Sequence, residues 1–239
     1  MQIFNSSGEC APTDFSQSVP WLAGLKPGAL AAFAGLCQSK SLGEGQSIFR
    51  EGAPCNELYI LESGRVKCYR SSLEGREQVL NVFDRPGDTF CIASAFSTGR
   101  HIVSATAVTA ARLYVLELDD ARCLAHEQPS VMLKMLIAAG NQMNHLAMLA
   151  GDLSLKTVTA RLAKLLYERA IKHGVRNGKE IHLRRDLLRQ EELAALVGTV
   201  RVHISRALTG LVRAGGIKLS RQTIHIVDLA LLERLGEER

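Results

Sequence analysis

Six cysteines are the residues of this chain with the widest chemical range. They lie at positions 10, 37, 55, 68, 91 and 123, and no two are closer than 13 residues. Because this spacing contains no C-x-x-C pair, it argues against a zinc finger or an iron–sulfur cluster built on closely spaced cysteines. Two interpretations stay open: reduced and mostly buried thiols, or thiols with a role in redox or nitrosative sensing.

The segment Gln190–Thr209 has the most informative spacing of residue types. Ala194 is small where two helices would cross closely, and Gly198 is placed for a turn with positive φ. Thr199 can cap a second helix. Four apolar residues are placed to pack the two helices together, namely Leu193, Val197, Ile204 and Leu208. This combination is typical of a helix-turn-helix.

The second helix of this pattern presents one polar side, formed by residues three and four positions apart. Its members are Arg201, Val202, Ser205, Arg206 and Thr209. Arg201 and Arg206 can bind guanine edges bidentately or clamp phosphates, whereas Ser205 and Thr199 suit phosphates. Gln190, at the start of the first helix, is a further candidate for contact with DNA. The alternative is an ordinary solvated helix face.

The charge distribution gives the C-terminal third the character of a polyanion binder. The chain has 29 Lys and Arg against 24 Asp and Glu, a net charge of +5, but residues 155–239 alone carry +8. Such asymmetry is typical of nucleic-acid-binding proteins. After the second helix, Gly215-Gly216 and two short β-rich runs around a polar turn predict a wing. Further basic residues in this third are Lys156, Arg161, Lys164, Arg184 and Arg185.

The rest of the chain must supply the elements that position these residues. Residues 1–40 predict a short helical entry. Between residues 41 and 118, short β-branched and aromatic runs separated by glycines predict an antiparallel sandwich or barrel. From Pro129 to about Gly151 the pattern predicts a long helix with an apolar stripe. The stripe consists of Met132, Met135, Leu136, Met143, Leu146 and Leu149.

A helix this apolar must be covered by another surface. One alternative is the sandwich of the same chain, and the other, which we favour, is the same helix of a second copy in a homodimer. The fold class is therefore α+β with three parts. We expect residues 1–118 to form a β-sandwich, residues 119–153 a linker and dimerisation helix, and residues 154–239 a winged helix-turn-helix.

Composition excludes several classes of protein. Hydrophobic residues make up 46% and charged residues 22%, as in folded proteins. No apolar run reaches the ~18–20 residues of a membrane span, and Met1–Pro20 lacks a basic leader followed by an apolar stretch, so we expect a cytoplasmic protein without a membrane partner. The sequence contains no nucleophile–base pair, paired carboxylates, phosphate loop or metal-ligand spacing that would indicate an enzyme.

The order of these parts resembles the Crp/Fnr family of bacterial transcription regulators over residues 20–235. The motifs that carry the resemblance are Gly45-x-x-Ile48-Phe49-x-x-Gly52, Leu58-Tyr59-Ile60-Leu61-x-x-Gly64-x-Val66-Lys67 and, in the wing, Thr223-Ile224-x-Ile226-x-Asp228. The resemblance implies a cyclic-nucleotide-domain-like jelly roll that binds an effector. It also implies a homodimer that reads a palindromic operator in double-stranded DNA, with RNA polymerase as a further partner.

The resemblance also bears on the effector. Relatives that bind cyclic AMP hold its phosphate with a Gly-Glu-Leu segment and an Arg-Ser pair. Here the first region reads Pro86–Phe96, and the second falls near His101-Ile102. Without that arginine, the charge-assisted contact to the phosphate is lost, so we disfavour a cyclic nucleotide as the effector. Arg100 lies close enough to keep this alternative open. Oxygen-sensing relatives have an N-terminal cysteine cluster, whereas only Cys10 lies there. Another alternative is a cyclic-nucleotide-type module whose C-terminal part contacts protein.

Residues 100–108 resemble the family branch that responds to nitric oxide and related stress. That resemblance implies either a haem cofactor, which we expect, or reactive thiols. The candidate ligands and reactive groups are Cys55, Cys68, Cys91, His101, Met132 and His145, with Arg100 as a further effector-binding candidate.

One position of the second helix departs from the family pattern. Many relatives have a glutamate that accepts a hydrogen bond from cytosine where this chain has Val202. A valine can contact a thymine methyl group instead. Because Ser205 and Arg206 are retained, we expect a shifted half-site preference in which Arg206 still reads guanine, with half-sites about one helical turn apart.

Overall fold

The computed structural model describes Phe15 and residues 18–97, 99–177, 180–184, 189–221 and 223–238. Cys10 and Arg185, both named above, lie outside the described residues. The chain forms two compact units. The first contains the described residues up to Arg70 together with Leu80–His145, and the second contains Ser71–Val79 and the described residues from Leu146 onward.

An antiparallel β-sandwich is the main element of the first unit, as predicted. Its described strands are β1 (Gln38–Leu42), β2 (Ser47–Phe49), β3 (Glu57–Ser63), β4 (Val66–Ser71), β5 (Glu77–Phe83), β6 (Thr89–Phe90), β7 (Ser104–Ala107) and β8 (Ala111–Glu117). They form two four-stranded sheets with the orders β1-β8-β3-β6 and β2-β7-β4-β5. Two antiparallel sheets of this kind enclose a core between their facing sides.

Alternating burial along the strands fills the space between the two sheets. In β4, Val66 and Cys68 point inward, and in β7 Ala105 and Ala107 do so. Aromatic rings complete this core, with Tyr59 and Phe90 stacked at a centroid distance of 5.5 Å. The period of two is what places one face of each strand in the core.

Helices precede, interrupt and follow these strands along the chain. After a 3₁₀ turn (Pro20–Leu22), they are α1 (Pro27–Leu36), α2 (Ile92–Ala95), α3 (Leu118–Glu127) and the long α4 (Pro129–Leu155). Both α1 and α4 begin with proline, whose fixed φ suits the first helical position. In the part of the chain that the structure describes, no helix is long and apolar enough to cross a membrane.

The long helix α4 has two apolar faces rather than the single stripe predicted above. Met135, assigned to the stripe, is buried with Val131 and Ala138 in the core of the first unit. Met132, Leu136 and other large apolar side chains lie on the outer side and are exposed. The prediction treated the two faces as one stripe, because in a continuous apolar run the helical spacing fits residues of either face. The sandwich of the same chain therefore covers only one of them.

The second unit contains a helix-turn-helix with a winged sheet. Its helices are α5 (Val158–His173), α6 (Gln190–Val197), α7 (Arg201–Arg213) and α8 (Leu229–Glu237), and its strands are β9 (Val175–Asn177), β10 (Glu180–Arg184), β11 (Ile217–Leu219) and β12 (Thr223–Ile226). The sheet order is β11-β12-β10-β9. The β11–β12 hairpin is the predicted wing, whereas β9 and β10 were not predicted. Thr157 caps α5 by accepting from Ala160 N–H.

Candidate nucleic-acid interface and sensing cluster

A tight turn at Gly198 joins α6 to α7 and sets the crossing of the two helices. Gly198 has a φ of 76°, and the backbone N–H groups of Gly198 and Thr199 both donate to the carbonyl of Ala194 at 2.9 Å. This left-handed conformation is cheap only for glycine. The four residues predicted to pack the helices together are Leu193, Val197, Ile204 and Leu208, and each is 3% exposed or less.

The opposite face of α7 is polar and exposed. All five residues predicted for that face, Arg201, Val202, Ser205, Arg206 and Thr209, are exposed. Ser205, Arg206 and Thr209 line a surface depression of about 270 Å³ together with Gly210 and Arg213. Sequence reasoning missed Arg213, although it lies one helical turn beyond Thr209 on the same face. The face can therefore offer two guanidinium groups to one ligand.

Arg201 is paired within the helix-turn-helix. Its Nη1 lies 3.2 Å from Oε1 of Glu191, and its Nε donates to Oε1 of Gln190 at 3.2 Å. Both side chains of the ion pair are about two-thirds exposed, so the pair is weak. A phosphate or a guanine can replace Glu191 at small cost, and Gln190 then serves to orient Arg201.

Thr199 does not have the capping role predicted for it. The N-cap of α7 is Val200, without a side-chain capping bond. Because Gly198 has already reversed the chain, Thr199 faces inward, is only 8% exposed, and has its hydroxyl oxygen 3.1 Å from Nδ1 of His203. This geometry makes Thr199 a residue that positions exposed His203, and it does not present the hydroxyl to a phosphate.

The guanidinium of Arg161 on α5 fixes the position of the turn. Its Nε donates to the carbonyl of Val197 at 2.8 Å, and its Nη1 donates to the carbonyl of Lys156 at 2.7 Å and that of Leu153 at 3.3 Å. Burial lowers the pKa of Arg161, and the nearby Asp152 opposes this shift. Arg161 was predicted only as a source of positive charge, but it acts as a bridge between helix ends.

In the first unit, Cys55, Cys91 and His101 form what we term the sensing cluster. Their ligand atoms all lie within 4.8 Å of one another. All three residues are less than one-tenth exposed. Both thiols donate to the carbonyl of Glu57, from Cys91 at 3.3 Å and from Cys55 at 3.8 Å. Cys91 has a φ of 63°, which among the described residues is the only positive value outside glycine.

His101 contributes an imidazole with an unused nitrogen. Its ring stacks on Phe49 with the centroids 3.7 Å apart, and Nδ1 is buried without a hydrogen-bond partner among the described residues. Burial lowers the pKa of His101, while the Glu57 carboxylate opposes the shift. The imidazole is therefore neutral at neutral pH, which is the form that ligates metals.

Three of the buried thiols, those of Cys55, Cys68 and Cys91, differ in acidity. When Cys55 is deprotonated, a hydrogen bond from the Cys91 thiol stabilises the thiolate and so lowers the pKa of Cys55, although burial opposes this shift. Burial and the neighbouring Cys55 raise the pKa of Cys91 well above its ordinary value. Burial raises the pKa of Cys68 to about 12. Cys55 is therefore the first of the three to become a nucleophilic thiolate, and Cys68 is inert.

The other sensing candidates do not join this cluster. Met132 and His145 are exposed and lie 13 residues apart on α4, which is ~20 Å along the helix axis. His145 Nε2 lies 3.0 Å from the carbonyl of Leu80. Arg100 is exposed, and its Nη1 donates to the carbonyl of Gly52 at 2.8 Å.

A jelly roll, a long helix and a winged helix-turn-helix in this order define the class of effector-controlled DNA-binding regulators. Residues 39–128 match the cyclic nucleotide-binding domain, and residues 160–235 match the Crp-like helix-turn-helix domain. The chain is 32% identical over 211 residues to the CRP-like cAMP-activated global transcriptional regulator of Mycobacterium tuberculosis, covering 88% of this chain and 93% of that protein. The chain belongs to the Crp/Fnr family of transcription regulators.

Two further comparisons agree with this assignment. The chain is 28% identical over 217 residues to the cyclic AMP receptor protein of Thermus thermophilus, covering 91% of this chain and 96% of that protein. A Crp/Fnr-family structure from Eubacterium rectale has a TM-score of 0.74 at 22% identity, covering 93% of this chain and 100% of that one. The second match shows the shared fold. The proteins matched are transcription regulators, not enzymes.

Proposed function

We propose that this regulator is a homodimer that binds a palindromic operator through two copies of α7 and is controlled by an effector acting on the sandwich. The observation that carries the proposal is the exposed face of α7, where Arg206 and Arg213 line one depression. Guanidinium groups in a major groove can read guanine and neutralise phosphates together. RNA polymerase is the further partner we propose, and the cytoplasm is the compartment.

Replacement of Arg206 tests operator reading. Arg206→Ala should weaken operator binding by about 1–3 kcal/mol per half-site and relax the base preference at one position. Arg234→Ala, which removes an exposed arginine on α8, is the matched control and should leave the preference unchanged. The assay is a gel shift on the regulator's own promoter, followed by selection from a randomised operator pool. Equal affinity and preference after Arg206→Ala would refute the assignment.

For the effector, we propose nitric oxide or a related stress signal that acts on the thiols of Cys55 and Cys91. Support comes from the lowered pKa of Cys55 and from the hydrogen bonds that both thiols make to one carbonyl. S-nitrosation of either sulfur, in which a nitroso group replaces the thiol proton and dioxygen accepts the electron released, would break these bonds and alter packing around α2. Such a signal shifts DNA binding only if it favours one conformation over another. Operator binding should therefore change on nitric oxide treatment and should not change in Cys55→Ser.

A haem cofactor fits the described residues less well than direct thiol chemistry. Cys91 and His101 are buried and in mutual contact, and a porphyrin between them would displace the Phe49 ring that stacks on His101. Met132 and His145 are too far apart along α4 to ligate one iron. We therefore assign no step to haem. An absorption spectrum after purification with haem supplied checks this, and a stoichiometric Soret band would contradict it.

Control by a cyclic nucleotide is the second candidate function. The relative at 32% identity is named as cAMP-activated, which favours this candidate. Two observations oppose it. The segment Pro86–Phe96 has Asp88 and no glutamate. The guanidinium of Arg100 already donates to the Gly52 carbonyl. Isothermal titration with cyclic AMP decides between the two, since stoichiometric binding that strengthens operator affinity would replace the thiol proposal.

A further inference from the structure

We propose that Cys55, Cys91 and His101 form a binding site for a thiophilic divalent metal ion of the zinc type. The site shares Cys55 and Cys91 with the effector proposal but does not rest on it, since metal binding there requires neither DNA nor a stress signal. The three residues come from separate segments of the sandwich, which bring their ligand atoms within 4.8 Å of one another.

The donor set selects the class of metal ion. Two thiolates and one imidazole are the soft and borderline ligands that zinc accepts, whereas calcium and magnesium require oxygen ligands. Nδ1 of His101 is a buried nitrogen without a hydrogen-bond partner among the described residues. The polar atoms of a buried imidazole normally have hydrogen-bond partners. Ligation of a metal ion would supply the interaction that Nδ1 of His101 lacks.

The geometry requires only a small contraction. Zinc–sulfur distances of ~2.3 Å and zinc–nitrogen distances of ~2.0 Å in a tetrahedral site place the ligand atoms ~3.5–3.8 Å apart. The atoms of the sensing cluster lie within 4.8 Å, and the stacking on Phe49 holds the imidazole in place. The left-handed backbone of Cys91 holds its side chain at the start of α2, an arrangement of the kind found where a fold maintains a strained functional residue.

The charge balance favours a divalent ion. Binding would displace the two thiol protons, which now lie on donors to the Glu57 carbonyl, and release them to water. Two thiolates then neutralise a charge of two in a buried place where an unpaired charge is costly. Cys55 also lines a pocket of about 480 Å³ with Glu117 and Arg122. This pocket gives an entry path for the ion and room for a water molecule at the fourth coordination position.

A second trio in the chain is less suited to a cation. Glu180, His182 and His225 lie together on the winged sheet, but Nζ of Lys218 is 3.0 Å from Oε1 of Glu180. A metal ion there would have to displace an ammonium group that already neutralises the carboxylate. This contrast favours the sandwich as the metal site. Every test variant keeps Glu180, so any zinc bound by the second trio would remain in all of them.

The experiment measures metal content and ligand type on the full chain. Protein purified under reducing conditions is incubated with zinc, dialysed and analysed by mass spectrometry of the metal, and a parallel sample is loaded with cobalt. We expect one zinc per chain and cobalt spectra with thiolate-to-cobalt charge transfer. Cys55→Ser, Cys91→Ser and His101→Phe should each lose stoichiometric zinc. His101→Phe keeps a ring for stacking on Phe49, and Cys123→Ser, at an exposed cysteine, is the matched control.

Each outcome supports or overturns the site. Loss of zinc in the three variants, with retention in Cys123→Ser, supports it. Any of three results would overturn it. These are wild-type protein that binds no stoichiometric zinc, a Cys55–Cys91 disulfide that persists in reductant, and cobalt spectra without thiolate bands. The cobalt spectrum is recorded on the unmodified chain, so it stays decisive if a variant fails to fold. DNA binding is not measured here, so failure of the operator proposal leaves the metal result unaffected.

Discussion

We expect the exposed side chains of α7 to determine which bases the regulator reads, and Val202 is the most informative of them. Its side chain is 58% exposed and can offer only an apolar surface to a base edge. A thymine methyl group fits such a surface, whereas a cytosine amine needs an acceptor. We expect Val202→Glu to change the preferred base at one half-site position by about 1–3 kcal/mol, as measured by selection from randomised operators.

A control separates lost contact from gained recognition at this position. Val202→Ala removes methyl groups without adding an acceptor, so it should weaken binding slightly and keep the original preference. If Val202→Glu and the unmodified chain select the same operator, Val202 does not contact a base, and the orientation of α7 in the groove must differ from our proposal.

At the scale of elements, Arg161 connects the end of α4 to the turn before α7. It donates to the carbonyls of Val197, Lys156 and Leu153. Lysine keeps the charge but has one nitrogen and cannot satisfy carbonyls on both sides. We expect Arg161→Lys to reduce the free energy of unfolding of the second unit by about 1–3 kcal/mol, measured in urea. Arg213→Lys, on the exposed face, should unfold as the wild type does, and equal stability of both variants would contradict the bridging role.

Asp152, near the end of α4, makes the stability of the same region depend on pH. Its carboxylate accepts from Lys164 Nζ at 2.5 Å, and Lys156 Nζ lies 3.0 Å away. Burial raises the pKa of Asp152, but these two lysines outweigh burial and hold it below 3.8. A carboxyl whose pKa is lower in the folded state stabilises that state above its ordinary pKa and loses this contribution as pH falls through the folded value.

We therefore expect Asp152→Asn to cost about 1–2 kcal/mol at neutral pH. The difference between wild type and variant should shrink as the pH falls below 3.8, because the protonated carboxyl then resembles the amide. Urea unfolding at neutral and acid pH checks both statements. A difference that stays constant across that range would show that Asp152 contributes through packing rather than charge.

Sequence periodicity predicted those elements whose signals are local. The turn at Gly198 and the wing follow from neighbouring residue types, and both were confirmed. The two faces of α4 were not separated, because Val131 to Ala138 is apolar on nearly every side. The proximity of Cys55 and Cys91 could not be predicted either. The two residues are 36 positions apart in the sequence, and only the sheet order brings them together.

At the scale of the whole molecule, the two apolar faces of α4 lead us to expect a second copy. One face of α4 is buried in the first unit through Val131 and Met135, and the other exposes large apolar side chains. These are Met132, Leu133, Leu136, Ile137, Met143, Leu146 and Met148. Met132, Leu136, Met143 and Leu146 lie 4, 7 and 3 residues apart, which fits the heptad positions of a two-stranded seam with one position skipped. Exposure of so much apolar surface is unusual for a protein that stays monomeric.

Leu136→Glu tests this arrangement because Leu136 is 67% exposed and lies on the outer face of α4. Two glutamates at the seam would face each other, since equivalent residues meet across a twofold axis. We expect a monomer in light scattering and at least a ~100-fold loss of operator affinity, since two linked half-site contacts become one. Leu73→Glu, at a fully exposed leucine outside α4, should stay dimeric and bind normally. A dimer that survives Leu136→Glu would place the seam elsewhere, and the paired reading of two half-sites would need a different geometry.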